Sequence, residues 1–281
     1  MQKQKRVVTI QDISCFGKCS LTVALPLLSA MGLECAIIPT AVLSTHTGGF
    51  KGWTFRDLTE DIPEVSAHWQ KEGLTFDGLY TGYLGSPLQA AMICDFVRDF
   101  KPGLVFVDPA MADNGKLYAG FSDEIVPAMA NLFAMADMVV PNITEASLIT
   151  GIPYRAPGEY DEAYIKSQLQ ALVEMGAKQA AITGVRYAGS DQQGIVSLNS
   201  ANGEYVEYYT ENLPVSCHGT GDVYASTMFG AMIRGKTVEE ALKLAADNTV
   251  RCIRATMGDE GHWYGVRFED CIPALIRDLG L

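Results

Sequence analysis

Short apolar runs alternate with longer amphipathic stretches along most of the chain. The apolar runs predict strands at residues 7–10, 35–38, 77–81, 104–107, 138–140 and 179–183. Apolar positions at helical spacing predict helices at residues 20–31 (with Ser20 as the capping residue), 87–100, 123–135, 161–175, 222–233, 237–256 and 269–279. Strand–helix alternation of this kind predicts an α/β fold, with a mostly parallel central sheet flanked by helices on both faces.

Residues 194–210 break this alternation. Two β-rich runs, 195–198 and 205–209, flank a polar turn at 199–203, which is typical of a small β hairpin. The sequence contains no internal repeat, low-complexity tract or Pro/Ser-rich linker. A single domain over residues 1–281 is therefore the economical interpretation.

Composition narrows the possible partners. The chain has 48% hydrophobic and 19% charged residues and a formal net charge of -12. An acidic chain repels nucleic acid and anionic lipid, so we expect it to bind neither, whereas ATP can still bind through Mg²⁺ and backbone dipoles. The seven cysteines form no CxxC pair, and we see no signal peptide or membrane-spanning run. These features favour a cytoplasmic protein.

The clearest chemical motif is His218-Gly219-Thr220-Gly221-Asp222, directly before an apolar helical pattern. Backbone N–H groups and the helix dipole at such a position form an anion hole for a transferring phosphoryl group. Asp222 would lie at its mouth and could accept the proton of an attacking hydroxyl. On the pentapeptide alone, a simple glycine turn with Asp222 stabilising the helix end is an equally good interpretation.

Acidic and amide side chains also follow two predicted strands. Asp108 ends one strand, and Asn142 and Glu145 follow the next. Because ligands bind beyond the carboxyl ends of strands in open α/β sheets, Asp108 and Glu145 could hold Mg²⁺, partly through water. The alternative is helix capping by Asn142 and Glu145.

The polar loop at residues 44–50 follows the second predicted strand and could line a small-molecule pocket, with Thr47 as a donor and His46 positioning the loop. A plain turn with a hydrogen-bonded His46 is the alternative. Tyr83, after another strand, could cover an aromatic ring. Gly17-Lys18 resembles the tail of a P-loop, but Asp12 stands where that motif needs glycine, so we expect Lys18 to be solvent-exposed.

Together these motifs resemble the pyridoxal kinases of the ribokinase-like superfamily. GTGD at 219–222, DPxxxD at 108–113, PNxxE at 141–145 and STHTGG at 44–49 carry the resemblance, which runs from residue 9 to about residue 249. GTGD alone marks only the superfamily, whereas its combination with STHTGG and TGYLG is more specific. The resemblance implies a ribokinase-like domain that phosphorylates the 5′-hydroxymethyl group of a vitamin B6 vitamer with Mg²⁺-ATP.

The resemblance also implies a role for each matching residue. Asp222 would be the catalytic base that takes the proton of the 5′-hydroxyl, and it would also contact the substrate. The remaining roles are an anion hole at Gly219, Thr220 and Gly221, ATP contacts at Asp108, Asn142, Glu145 and Thr183, and ring contacts at Thr47, Gly48 and Tyr83. A homodimer and activation by K⁺ or another monovalent cation are implied as well.

Two positions depart from the family pattern. Asp12 stands where many members have a serine that contacts the ring, and a carboxylate there favours a cationic partner. We hypothesise that Asp12 pairs with the pyridinium nitrogen or with the aminomethyl group of pyridoxamine. Cys217 precedes the glycine turn and could contact an aldehyde, although an inert thiol is the simpler interpretation.

Other functions stay open at this point. Asp12 is also typical of sugar kinases, and a hydroxymethylpyrimidine kinase is a further alternative in the same superfamily. Phosphomethylpyrimidine kinases often carry GTGC, so Asp222 argues against that branch. A non-catalytic pyridoxal phosphate binding protein would not need the Asp222 base. An NAD-dependent dehydrogenase is disfavoured because no GxGxxG follows the first strand.

Overall fold

A nine-stranded sheet lies at the centre of the computed structural model, which describes residues 3–281. The strand order is β11-β10-β9-β8-β5-β4-β1-β2-β3. The strands are β1 Arg6–Ser14, β2 Glu34–Leu43, β3 Phe55–Asp57, β4 Gly78–Thr81, β5 Val105–Val107, β8 Met138–Val139, β9 Gln179–Val185, β10 Gln192–Asn199 and β11 Tyr205–Glu211. A separate two-stranded ribbon pairs β6 Ala112–Asp113 with β7 Lys116–Leu117.

The six inner strands, from β9 to β2, run parallel to one another. The flanking strands β3, β10 and β11 pair antiparallel to their neighbours. The prediction of a mostly parallel sheet is therefore confirmed. β10 and β11 pair along their length across the turn that the sequence indicates.

Helices cover both faces of the sheet, as predicted. They are α1 Leu21–Ala30, α2 Asp61–Lys71, α3 Pro87–Phe100, α4 Ile125–Phe133, α5 Ile143–Thr150, α6 Glu162–Glu174, α7 Thr220–Ile233, α8 Val238–Thr256 and α9 Ile272–Leu279. One apolar core joins one sheet face to α2 through α6, and a second core joins the other face to α1, α7, α8 and α9. Within the described residues, no helix has the length and apolar character needed to cross a membrane.

Local sequence explains where several helices begin. Ser86 caps α3 by accepting a hydrogen bond from the Gln89 amide, and Pro87 provides the first helical residue. A capping box between Thr237 and Glu240 starts α8. Ser20 precedes α1 as predicted, but among residues 3–281 its side chain caps no helical amide, and its backbone has a φ of 54°.

The carboxyl ends of the parallel strands meet at one edge of the sheet. Backbone hydrogen bonds continue past the strand ends, from the Asp108 amide to the Thr81 carbonyl (3.0 Å) and from the Thr183 amide to the Pro141 carbonyl (3.0 Å). Asn142 forms a parallel bridge with Thr183. The sheet therefore brings residues that are far apart in sequence onto one shared edge.

Candidate active site

The first part of the site is the beginning of α7. Gly219 has a φ of 79°, and a Cβ there would lie 1.8 Å from the Lys18 carbonyl oxygen, so only glycine fits. A Cβ built on Gly221 would have open space around it. Apart from the helix's own backbone and the two chain neighbours, no heavy atom of residues 3–281 lies within 4 Å of it. The first amides of a helix lack intrahelical acceptors. This arrangement suits an anion.

Asp222, in the first turn of α7, is partly buried. Burial raises the pKa of its carboxyl group to about 8, and the charges of Asp108 and Asp12 act in the same direction. A hydrogen bond from the Ser20 backbone opposes this rise. A carboxyl group whose pKa lies near the working pH is suited to general-base chemistry.

Glu145 is 2% exposed and is saturated with backbone hydrogen bonds. One carboxylate oxygen accepts from the amides of Met111 (2.8 Å) and Ala112 (3.3 Å), and the other accepts from Asn142 (2.9 Å). The bond from the Asn142 amide, together with the bond from the Glu145 amide to the Asn142 side chain, forms the capping box of α5. The capping interpretation is therefore correct in structural terms. Burial nevertheless raises the pKa of Glu145 to about 7.

Asp108 lies beside Glu145 and accepts a hydrogen bond from the Ala110 amide (3.2 Å). Burial and the charge of Glu145 raise the pKa of Asp108 well above its usual range. The ion pairs of the described chain all involve carboxylates other than Asp12, Asp108, Glu145 and Asp222. These uncompensated acids fit a bound divalent cation, although residues 3–281 contain no preformed group of three or more metal ligands.

Asp12 lies at a shift of register between β1 and β2. It is 5% exposed, and Ser14 donates a hydrogen bond to its carboxylate (3.0 Å). Burial raises the pKa of Asp12. Burial and the charge of Asp12 raise the pKa of Tyr83 to about 12, and the Tyr83 ring packs 5.2 Å from Phe121. Tyr83 and Asp12 therefore lie near each other.

The loop at 44–50, which we call the substrate loop, contacts the loop that leads into α7. A Cβ on Gly48 would lie 2.4 Å from the His218 ring, so the two loops touch. Thr47 is exposed at the surface of the substrate loop. His46 is hydrogen-bonded on both ring nitrogens, as the sequence suggested, and thereby fixes the loop.

Sequence reasoning missed Cys19 and Tyr118. Burial and the charges of Asp222 and Asp12 raise the pKa of Cys19 well above its usual range, so this thiol lies near both acids. The pKa of Tyr118 is also raised, first by burial and then by Glu145. Neither residue belongs to a motif that the sequence analysis used, and only the fold brings them to the site.

The prediction for Lys18 was wrong. Its side chain is only 22% exposed, forms an ion pair with Glu269 and lies 5.2 Å from the Phe268 ring centre. The partner carboxylate is 251 residues away in sequence, so no local pattern indicates the pair. Lys18 instead fastens the loop after β1 to the C-terminal region.

A model of the phosphomethylpyrimidine kinase family matches residues 25–265. The chain belongs to the phosphomethylpyrimidine kinase family. It is therefore a kinase, and the predicted family resemblance is confirmed at this level. Among characterised relatives, this kinase is 26% identical to a pyridoxal kinase of Rubrobacter xylanophilus, over 89% of this chain and 87% of the relative.

Solved structures agree with this placement. A Bacteroides thetaiotaomicron protein assigned as a phosphomethylpyrimidine kinase, crystallised with pyridoxal, has a TM-score of 0.91 and 35% identity, covering 97% of this chain and 96% of that one. Pyridoxal kinase from Lactobacillus plantarum has a TM-score of 0.90 and 34% identity, covering 98% of both chains. The ribokinase-like fold that the sequence predicts is confirmed.

One relative is a bifunctional enzyme that is longer than this chain. The kinase is 24% identical to the rice thiamine biosynthetic bifunctional enzyme over 85% of this chain, but it spans only 42% of that enzyme's length.

Proposed function

We propose that this kinase transfers the γ-phosphoryl group of ATP to the 5′-hydroxymethyl group of a vitamin B6 vitamer: pyridoxal, pyridoxine or pyridoxamine. The observation that carries the proposal is the contact between the substrate loop and the loop of Asp222, at Gly48 and His218. In this proposal the contact would bring a pocket for a flat ring next to a base and an anion hole. The similarity to a solved pyridoxal kinase over 98% of the chain supports the same substrate class.

In this proposal Asp222 accepts the proton of the 5′-hydroxyl as the hydroxyl oxygen attacks the γ-phosphorus. The N-terminal amides of α7, in the turn Gly219-Thr220-Gly221, stabilise the charge that develops on the phosphoryl oxygens. Positioning and electrostatics account for most of the catalysis, because phosphoryl transfer asks little covalent chemistry of the protein.

The nucleotide would lie along the edge formed by the ends of β5, β8 and β9. Asp108, Asn142, Glu145 and Thr183 occupy this edge, and the Asn142–Thr183 bridge holds two of them together. Asp108 and Glu145 would hold Mg²⁺, which neutralises phosphate charge when bound. Since Glu145 already accepts three backbone hydrogen bonds, its contact with the ion would run through water.

The substrate pocket would be formed by Asp12, Thr47, Gly48 and Tyr83. Asp12 would pair with a cationic group of the substrate, because its buried carboxylate lacks a basic partner within residues 3–281. Tyr83, which lies near Asp12, would cover the pyridine ring. We further propose a single kinase domain that works as a cytoplasmic homodimer and responds to a monovalent cation.

Phosphorylation of a hydroxymethylpyrimidine is the second candidate function. The description of the matching family model, phosphomethylpyrimidine kinase, favours a pyrimidine substrate. Both reactions phosphorylate a hydroxymethyl group on a flat aromatic heterocycle, so the same base and anion hole could serve both. The buried Asp12 favours the vitamer, whose pyridine nitrogen is the more basic.

A substrate panel separates these possibilities. ADP release would be measured with Mg²⁺-ATP and, in turn, each B6 vitamer, hydroxymethylpyrimidine and ribose. We expect turnover on at least one vitamer at a higher kcat/KM than on the pyrimidine or the sugar. Preference for hydroxymethylpyrimidine would replace our substrate, and no turnover on any compound would favour a non-catalytic binding protein.

A further inference from the structure

Three loops meet around the buried side chain of His46, which is 5% exposed. They are the substrate loop (44–50), the catalytic loop (217–222, the turn before α7 together with the first residues of α7) and the C-terminal loop (259–266, which follows α8). His46 belongs to the first and contacts the other two. The roles proposed above for the base, the anion hole, the nucleotide edge and the ring contacts do not use it.

Hydrogen bonds settle the tautomer of His46. Its Nε2 lies 2.7 Å from the Tyr264 carbonyl oxygen in the C-terminal loop. A carbonyl only accepts, so Nε2 carries the proton and donates it. The Gly48 amide donates to Nδ1 at 3.1 Å, so Nδ1 keeps its lone pair. Both bonds are satisfied together only by the neutral Nε2–H form.

The His46 ring is also closely packed against neighbouring loops. A Cβ on Gly17 would lie 2.2 Å from His46 Cδ2, so the loop after β1 also packs against the ring. The ring centres of His46 and His218 are 4.9 Å apart. The Val266 amide donates to the His218 carbonyl (3.2 Å), which ties the catalytic loop to the C-terminal loop.

We propose that His46, as its neutral Nε2–H tautomer, is a positioning residue that fastens the substrate loop to the C-terminal loop and, through His218, to the catalytic loop. The pocket for the hydroxymethyl substrate is thereby held at a fixed place relative to the anion hole. The residue acts through Gly48 and Tyr264 and touches neither ATP nor the reacting atoms. The inference rests on the proposed function only for the identity of the substrate.

The charge environment agrees with a neutral ring. Burial lowers the pKa of His46, and the hydrogen bond to Tyr264 only partly opposes this. The other titratable groups of these loops and of the loop after β1 are Cys15, Lys18, Cys19, Cys217, His218, Asp222, Asp259, Glu260, His262 and Tyr264. Of the charged side chains, Lys18 is paired with Glu269 and Asp259 with Arg267, whereas Glu260 is exposed. Protonation of Nδ1 would set a donor against the Gly48 amide and break that bond.

Two substitutions of His46 each keep a different one of its two hydrogen bonds. In His46→Gln the side-chain amide can still donate to the Tyr264 carbonyl, whereas in His46→Asn the side-chain oxygen can still accept only from Gly48. His68→Asn is the matched control, because His68 lies on α2 and its side chain is 67% exposed. The kinetic substrate is whichever hydroxymethyl compound the wild-type enzyme turns over.

We expect His46→Asn to raise KM for that substrate by roughly tenfold, with KM for ATP unchanged, because the lost bond joins two loops. His46→Gln should recover much of this loss, and His68→Asn should behave as wild type. Equal effects of the Gln and Asn variants, or equal changes in both KM values, would overturn the proposal. A failure of the proposed function would instead appear in the wild-type substrate panel.

A second measurement does not depend on activity. Nitrogen-15 chemical shifts of the histidine rings in the whole protein report the tautomer and the protonation of His46. We expect an Nε2–H signature that persists to a pH below about 6.5, the ordinary pKa of histidine. An Nδ1–H tautomer, or a charged ring at neutral pH, would contradict the proposal.

Discussion

Asp12, Asp108 and Asp222 occupy one small region, and the charges of the first two disfavour the ionisation of Asp222. Their mutual repulsion is useful only if the substrate or a metal ion brings positive charge. Asp12 differs from the other two in that its charge also raises the pKa of Tyr83. In the proposed function the three acids divide between substrate binding and phosphoryl transfer.

The first prediction concerns substrate choice. Asp12→Asn preserves size and removes the charge, whereas Asp12→Ser introduces the residue that the family resemblance implies at this position. If the carboxylate pairs with a cationic substrate group, both variants should lose roughly 1.5–3 kcal/mol of binding to the preferred vitamer, the usual value for a hydrogen bond to a charged group. The kcat/KM ratios among the three vitamers measure this directly. An unchanged ranking in both variants would show that Asp12 does not choose the substrate.

At the residue scale, sequence predicted the motif residues but not their surroundings. Asp222 and Asp108 were found because glycines and strand ends mark them locally. Glu145 was assigned two alternative roles, and the capping role is visible in the structure. Lys18 was judged wrongly and Cys19 was missed, because Glu269 and Asp222, which help to set their environments, lie more than two hundred positions away.

At the scale of elements, α5 begins at the sheet edge where we propose that the nucleotide binds. Its capping box fixes Asn142 and Glu145 together, and Glu145 reaches across to the amides of Met111 and Ala112 beyond β5. One buried carboxylate therefore holds the ends of two neighbouring strands in register. The edge would lose its shape if this carboxylate lost its bonds.

The second prediction tests that structural role. Glu145→Gln keeps the shape but turns one acceptor oxygen into a donor that faces a backbone amide. We expect a loss of roughly 1–3 kcal/mol in the free energy of unfolding, measured by urea titration. Glu240→Gln, in the exposed capping box of α8, is the matched control and should cost less. Equal losses in the two variants would contradict a special role for Glu145.

Element predictions succeeded where the pattern was strong. The helix at Pro87–Phe100 was predicted at its observed bounds, because a serine cap, a proline and an amphipathic pattern coincide there. α2 was missed because Ile62 is its one buried residue, which leaves almost no apolar face. The strands β3, β6 and β7 have only two or three residues, too few to show alternation.

At the scale of the whole molecule, the sheet separates two apolar cores and carries the site along one edge. Its strand order could not be predicted from the sequence, because crossover connections leave no local signal. That order nevertheless decides which strand ends are neighbours, and so which acids meet. Bringing these acids together costs free energy of unfolding, which the rest of the fold must supply.

The third prediction follows from that cost. The pKa of Asp222 rises on folding from 3.8 to about 8, so the folded state binds this proton more tightly than the unfolded state. The contribution of this group to the free energy of unfolding is fully present below pH 3.8 and is lost as the pH rises towards about 8. Asp222→Asn should therefore be more stable than wild type at about pH 9, by more than about 1 kcal/mol, with a smaller difference at about pH 5.

Urea titrations of both proteins at the two pH values measure this effect. Equal stabilities at the higher pH would mean that folding does not raise the pKa of Asp222. A difference that is the same at both pH values would point to packing instead of charge.

The most direct test of the account is the rate of ADP release with Mg²⁺-ATP and pyridoxal, compared between the wild-type kinase and Asp222→Asn. If Asp222 is the base, the variant should lose roughly 10²–10⁴-fold in kcat while remaining folded, with KM for ATP little changed. A variant that keeps the wild-type rate would contradict the central claim that phosphoryl transfer to the hydroxymethyl group depends on this carboxylate.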